Sequence, residues 1–348
     1  MTGTIGVSGM GRIGRLLVRR AFDTDENGMG LQAINSLYPA GTIAHLLKYD
    51  TIHGTWKADI REEGNDLVIN GRRVRIVFER DPAAIPWKAL GVDLAIDATG
   101  KFNDREGATR HLTAGASKVL ITAPGKRMDL TVVMGVNDNR YNAKEHTLLS
   151  AASCTTNCVA PVLHVLDQAF QVKNGWMTTV HSYTNDQKHM DNPHSDLRRA
   201  RACTQSIIPT STGVGKALID VLPHLAPHVN GISVRVPTPD VSLVDLTVQV
   251  KRPVQLEEVQ SAFRQAAEGP MARYMGYSNE PLVSSDFIGC DQSAVIDGQS
   301  LMVAEDQIKV LAWYDNEWAY ASRVMDLAKI VSETMKKESD EAWKEAVV

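Results

Sequence analysis

Thr4-Ile5-Gly6-Val7-Ser8-Gly9-Met10-Gly11-Arg12-Ile13-Gly14 stands almost at the start of the chain. Residues 4–8 alternate and read as a strand; residues from Gly9 onward spell G-x-G-x-x-G and lead into a helical pattern that runs to about residue 22. The setting gives the glycines their meaning. Between strand and helix they permit a tight turn and a close backbone approach, and the helix N-terminus offers free N–H groups to a pyrophosphate. The stretch therefore reads as the first unit of a doubly wound α/β domain that binds a dinucleotide, with Gly9, Gly11 and Gly14 as candidate contacts.

Working outward, residues 31–35 form the next expected strand. A carboxylate near its end would bind the adenosine ribose hydroxyls. Here Ser36 stands at that place, and Asn35-Ser36-Leu37-Tyr38-Pro39 holds no acid. A serine removes the charge that repels a 2′-phosphate, yet no Arg or Lys follows at once to bind one. Both NAD and NADP fit. Alternation over 67–78 around Asn70-Gly71 predicts a hairpin. Buried strands are expected at 92–98 and 118–122, with a helix near 104–115 between them, the pattern of a parallel sheet with crossover helices. This block closes near residue 153.

There the second informative stretch begins: Ser150-Ala151-Ala152-Ser153-Cys154-Thr155-Thr156-Asn157-Cys158-Val159. An apolar run at 146–149 reads as a strand, and a periodic segment to residue 170 reads as a helix. Cys154 thus falls in a first helical turn, where free N–H groups and the helix dipole stabilise a thiolate. Beyond it a strand over 175–180 ends at His181-Ser182-Tyr183-Thr184, and a long polar loop covers 185–204. A loop of that length in a compact domain is usually functional. Helices are expected to about 222, at 256–268 and at 317–336. Strands at 232–236, 241–250, 281–287, 293–296 and 308–314 make a mostly antiparallel sheet. The fold class is α/β: a Rossmann doubly wound domain (1–153), an α+β catalytic domain (154–316), and a C-terminal helix (317–348) returning to the first.

The 348 residues carry 37 Lys plus Arg against 41 Asp plus Glu, a net charge of −4 that supports neither nucleic-acid nor membrane-surface binding. No apolar run approaches ~18 residues and no leader is evident, so a cytoplasmic protein is expected. The four cysteines, 154, 158, 203 and 290, are too scattered for a disulfide framework and no metal set forms around them.

Six stretches occur in one order: residues 7–15, Ala152-Ser153-Cys154-Thr155-Thr156-Asn157, His181-Ser182-Tyr183-Thr184, Thr210-Ser211-Thr212-Gly213, Arg235-Val236-Pro237-Thr238-Pro239 and Trp313-Tyr314-Asp315-Asn316-Glu317-Trp318. Together they closely resemble the phosphorylating glyceraldehyde-3-phosphate dehydrogenases. The resemblance implies Cys154 as nucleophile and His181 as its partner: an imidazolium beside a thiolate, then a base for the hydroxyl proton. It implies Thr184 and Arg235 on the substrate phosphate. Ser153, Thr155, Thr212 and Gly213 are implied on the attacking inorganic phosphate, with Arg199 nearby. Asn316 is implied on the nicotinamide amide, Arg12 and Ile13 on the pyrophosphate through backbone, Ser36 near the ribose, and Arg80 and Thr122 as further cofactor contacts. A homotetramer is implied as well.

Several positions depart from the dedicated glycolytic pattern: Ser36 for an Asp, Ser8 and Met10 for Asn and Phe, and Ala151 for an Asn. Residues 181–187 and 196–199 resemble the anabolic and erythrose-4-phosphate branches. An erythrose-4-phosphate dehydrogenase with hydrolytic deacylation is therefore the alternative enzyme, and arsenate fits wherever phosphate does. A dinucleotide-binding regulatory protein without catalysis is the alternative of another class; the presence of every residue the chemistry requires speaks against it.

Overall fold

The computed structural model describes residues 3–23 and 30–347; the extreme residues of the expected first domain and C-terminal segment lie outside the described residues. The chain forms two compact units: 1–132 with 138–152 and 321–348, and 133–137 with 153–320.

The first unit is built on a nine-stranded sheet in the order Leu130–Thr131, Leu148–Ser150, Lys118–Ile121, Leu94–Asp97, Ile5–Ser8, Leu31–Asn35, Arg72–Val77, Asp66–Ile69 and Ile60–Glu63. Neighbours are parallel as far as Arg72–Val77 and antiparallel beyond it. Ile5–Ser8 is buried at every residue and lies between Leu31–Asn35 and Leu94–Asp97, so the strand order reverses at its carboxyl end. That crevice is where α/β sheets bind ligands. The expected hairpin at 67–78 is present; Asn70 (φ 49) and Gly71 (φ 79) form its two-residue turn, a conformation that needs residues tolerant of positive φ. Arg105–Thr113 is a helix because Asp104 caps it, accepting from the Gly107 N–H at 2.8 Å.

The second unit carries an eight-stranded sheet in the order Ile208–Ser211, Val229–Val236, Val172–Ser182, Ser242–Val250, Gln307–Tyr314, Ala294–Asp297 and Met275–Ser278, with Met302–Ala304 also paired to Gln307–Tyr314. Most pairs are antiparallel; Val172–Ser182 with Val229–Val236 and Met275–Ser278 with Ala294–Asp297 are parallel. Cys154–Phe170 packs against Ser242–Val250 and Gln307–Tyr314, and against the helices Val214–Val221 and Leu256–Glu268.

Two expectations fail here. The strand expected at 281–287 is a turn containing the 3-10 segment Ser284–Phe287, because Asp286 accepts the Val283 N–H and closes the backbone on itself. The strand lies earlier, at Met275–Ser278, where Gly276 hides the signal; a Cβ there would meet the Gln292 side chain at 2.5 Å. The strand leading to His181 is also longer than its sequence reading, Val172–Ser182, since neighbours on both sides extend it. The last helix runs from Trp318 to Val347, beyond the periodic segment 317–336 and through the expected C-terminal helix, and Asp315 caps its start by accepting the Glu317 and Trp318 N–H groups. Among the described residues no helix is long and apolar enough to cross a membrane.

One buried polar chain underlies the carboxyl edge of the first sheet. Trp87 Nε1 donates to His111 Nδ1 at 3.0 Å, and His111 Nε2 lies 2.9 Å from Asp97 Oδ2. Asp97 Oδ1 in turn accepts from the N–H and hydroxyl of Thr99. All three side chains of the Trp–His–Asp run are buried. His111→Leu would strand Asp97 and the Trp87 N–H together, and is expected to destabilise the protein by about 3 kcal/mol in denaturant unfolding. A loss below about 1 kcal/mol would show that the chain of bonds is not structural.

Candidate active site

Ser153 places Cys154. Its Oγ accepts the Thr156 N–H at 3.0 Å, so the Cys154–Phe170 helix begins at Cys154. The residue before the cap, Ala152, holds φ 54, an uncommon conformation that turns the chain sharply into the helix. His181 lies near the end of Val172–Ser182, and its Nε2 is 3.5 Å from Cys154 Sγ. Its Nδ1 is 2.7 Å from the Ser182 carbonyl oxygen and therefore carries the proton, which leaves Nε2 as the basic nitrogen facing sulfur.

Arg235 completes the group. Its Nη1 donates to the same Ser182 carbonyl at 3.2 Å and reaches Thr184 Oγ1 at 3.5 Å, while lying 3.3 Å from His181 Nδ1. The charges act in opposite senses on the pair. His181 is pushed down to about 3, by burial first, then by Arg235, against the pull of the Ser182 carbonyl, and further by Arg199. Burial pushes the Cys154 thiol up, while Arg235 and the Thr155 hydroxyl and amide draw it down. The depression of His181 favours neutral imidazole, a base, over the imidazolium expected from the resemblance.

The remaining phosphate candidates fall into two groups. Arg199 donates to Thr210 Oγ1 (3.0 Å), the Ser211 carbonyl (3.3 Å) and Asp186 (2.6 Å), which sets it beside Thr212. Thr212 accepts the Val214 N–H, and Gly213 heads the Val214–Val221 helix. Ser153 and Thr155 are instead engaged with protein: Ser153 Oγ with Thr156, and Thr155 Oγ1 with Tyr314 OH at 3.0 Å. Tyr314 is a residue of this site that sequence spacing does not mark. Its buried hydroxyl also meets Thr179, and its ring edge packs on His181 with centroids 5.9 Å apart. An aromatic ending a strand just before Asp315-Asn316 was the only available signal.

In the first unit the cofactor candidates gather along the carboxyl edge of the parallel sheet, after five different strands. Gly9 follows Ile5–Ser8, Ser36 follows Leu31–Asn35, Arg80 lies beyond Arg72–Val77, and Thr122 follows Lys118–Ile121; Thr99, not singled out before, follows Leu94–Asp97. The Gly-rich turn fits a pyrophosphate. Gly9 has φ 98 and its Cβ would strike the Ala98–Thr99 backbone, a Cβ on Gly14 would lie 1.8 Å from the Gly9 carbonyl, and Gly11 faces open space. Ile13 follows Arg12 in the first turn of the Arg12–Asp23 helix. Arg12 is held side-on by Asp50 at 2.5 and 3.2 Å. Burial opposes ionisation of Asp50, but the His53 N–H, Arg12 and the Ile52 N–H hold it down to about 2. Ser36 is buried, and its Oγ meets the Tyr38 N–H and carbonyl in a local turn.

Comparison with known families decides the lineage. Residues 3–105 match the family model "Glyceraldehyde 3-phosphate dehydrogenase, NAD binding domain", and residues 153–316 match that for the C-terminal domain. The chain belongs to the glyceraldehyde-3-phosphate dehydrogenase family. It is 52% identical over 333 residues to glyceraldehyde-3-phosphate dehydrogenase 2 of Bacillus subtilis, covering 95% of this chain and 97% of the relative. Identity is 49% to the enzyme of Geobacillus stearothermophilus (94% and 98% covered) and 48% to glyceraldehyde-3-phosphate dehydrogenase 2 of a Nostoc strain (94% and 98%). Membership identifies the chain as a dehydrogenase of this type with a dinucleotide-binding domain.

In this family member Arg235 presses on both titrating groups, so Arg235→Met is expected to raise the His181 and Cys154 pKa values together. Imidazole titration by NMR would follow the first. Alkylation of Cys154 at neutral pH would follow the second, slowing roughly tenfold for each unit the thiol rises. An unmoved imidazole would disprove the coupling.

Proposed function

We propose that the chain catalyses the reversible, phosphorylating oxidation of glyceraldehyde 3-phosphate to 1,3-bisphosphoglycerate with NAD or NADP. The observation that carries the reading is Cys154 Sγ on the first residue of a capped helix, 3.5 Å from the basic nitrogen of His181. A bound nicotinamide supplies the hydride acceptor, and the chain's residues do the rest. Arg235 and Thr184 hold the substrate phosphate, which sets the aldehyde carbon against sulfur. Cys154 sulfur bonds to that carbon, and the resulting hydroxyl gives its proton to His181 Nε2 as the carbon is oxidised to the thioester level. A phosphate oxygen then bonds to the acyl carbon, the carbon–sulfur bond breaks, and Cys154 leaves as thiolate. As the substrate phosphate offsets the Arg235 charge, the suppression of His181 is relieved where a base is needed.

We assign the attacking phosphate to Arg199, Thr212 and Gly213, where a guanidinium, a hydroxyl and a helix N-terminus adjoin. Ser153 acts as the cap that sets Cys154, and Thr155 as packing for Tyr314. That phosphate site favours phosphorolysis over the hydrolytic erythrose-4-phosphate reaction. Asn316, Arg12, Ile13, Arg80, Thr122 and Ser36 are assigned to the dinucleotide, with neither NAD nor NADP refused because no carboxylate follows Leu31–Asn35. In the loop 183–207 Met190, Leu197 and Ile207 expose apolar side chains, and we place a contact of a homotetramer there.

Reduced-dinucleotide formation from glyceraldehyde 3-phosphate is expected to depend on inorganic phosphate or arsenate, and to fall by at least about a thousandfold in Cys154→Ser. Phosphate-independent turnover of erythrose 4-phosphate would displace this reading. NAD and NADP are expected within roughly tenfold of one another in kcat/KM, with Ser36→Asp lowering NADP alone through repulsion of its 2′-phosphate. Light scattering is expected to give four chain masses, and Leu197→Glu with Met190→Glu to give fewer; a monomeric parent would remove the assembly.

A further inference from the structure

The carboxamide of Asn316 is held by a pair of buried hydroxyls. Ser182 Oγ lies 2.9 Å and Ser242 Oγ 2.7 Å from Asn316 Oδ1, and the three residues are almost wholly buried. Ser242 Oγ also accepts the Ser182 N–H at 3.1 Å, so its proton is available to donate. With both hydroxyls donating to Oδ1, each hydroxyl proton of the cluster has an acceptor. Turning the amide over would leave the Ser182 proton without one and Ser242 only the 3.5 Å contact to Ser182 Oγ. The bonding therefore selects one orientation of the amide, in which Nδ2 is the group left to face a ligand.

The backbone beside this pair departs from the ordinary strand conformation. Val241, immediately before Ser242, is a buried β-branched residue with φ 63. Side chains of that type avoid positive φ, and such outliers persist where the surroundings enforce them. The distorted residue leads directly into Ser242–Val250, whose first side chain makes the bond to Asn316. Ser182 is likewise shared. Its carbonyl receives His181 Nδ1 and Arg235 Nη1, its N–H goes to Ser242, and its hydroxyl goes to Asn316.

We propose that Ser182 and Ser242 are positioning residues that lock the Asn316 amide with its Nδ2 presented as a donor, so that the site reads the carbonyl oxygen of a pyridine carboxamide. This rests on the dinucleotide reading above, and it makes Ser182 the common support of the base and of the group that orients the ring. The consequence is a specificity: the ligand's carbonyl is required and its amide nitrogen is not.

Calorimetric titration tests this without turnover. The parent protein is expected to bind the 3-acetylpyridine analogue of NAD, which keeps the carbonyl and lacks the amide nitrogen, within roughly threefold of NAD. Ser242→Ala, Ser182→Ala and the double variant are expected to weaken NAD by about tenfold while leaving ADP-ribose, which lacks the ring, unchanged. Asn316→Ala is expected to weaken NAD as much, and adding it to the double variant to cost nothing further. Loss of the analogue by tenfold or more in the parent would overturn the assigned orientation. Unchanged NAD affinity in the serine variants, or equal losses for NAD and ADP-ribose, would overturn the positioning role. Failure of the parent to bind either NAD or ADP-ribose would instead sink the underlying dinucleotide reading. The parent's analogue comparison needs no variant to fold, and the two single substitutions fail or fold independently.

Discussion

The meeting of a helix start with a strand end is the constraint on which this molecule depends. A thiol is a modest nucleophile unless something favours its ionised form, and a buried one is worse placed than a free one. Here the sulfur sits on the first residue of Cys154–Phe170, and the imidazole that faces it comes from the far end of the neighbouring Val172–Ser182. Both elements are packed into one unit, so neither group can drift from the other without disturbing a core of apolar residues such as Leu163, Leu166, Val244 and Leu246. The distance between them is a property of the sheet, not of a loop.

Electrostatics at the site are arranged in tension. Arg235 lies against the same carbonyl that holds His181, close enough to oppose a second positive charge. An anion bound to that guanidinium would relieve the opposition, and the imidazole would become the more basic for it. Arg199 is treated differently. Its charge is already met by Asp186 and Asp196, so it is steadied in place beside Thr210 and Ser211. The two arginines therefore differ in how much field they exert on His181, Arg235 more than Arg199.

The first unit solves a simpler problem by topology. Reversal of strand order at Ile5–Ser8 opens a crevice at the carboxyl ends of the parallel strands, the edge from which their following loops leave. Gly9 and Gly14 are needed because backbone passes where a Cβ would have to be, while Gly11 borders open space. The buried Trp87–His111–Asp97 run keeps the Thr99 turn pressed against Gly9. Polar groups sealed in a core set geometry more strictly than apolar ones, because each must find its particular partner.

The amino-acid order by itself determined what depends on neighbours along the chain: the Gly-rich turn between strand and helix, the Asn70-Gly71 hairpin, the change from parallel to mostly antiparallel sheet, and the placing of Cys154 in a first helical turn. These follow from local sterics and hydrogen bonding, which sequence spacing expresses directly. It misplaced the strand at Met275–Ser278 because a central glycine masks the pattern and only pairing with Ala294–Asp297 creates the strand. It passed over Tyr314, Ser182, Ser242 and Thr99 because their value lies in partners distant along the chain, such as the 159-residue separation between Thr155 and Tyr314. Nor does spacing reveal that the His181 ring is buried with Arg235 beside it, which together lower its basicity. Only tertiary structure brings those groups within reach, since burial and charge act through space, where sequence separation carries no information.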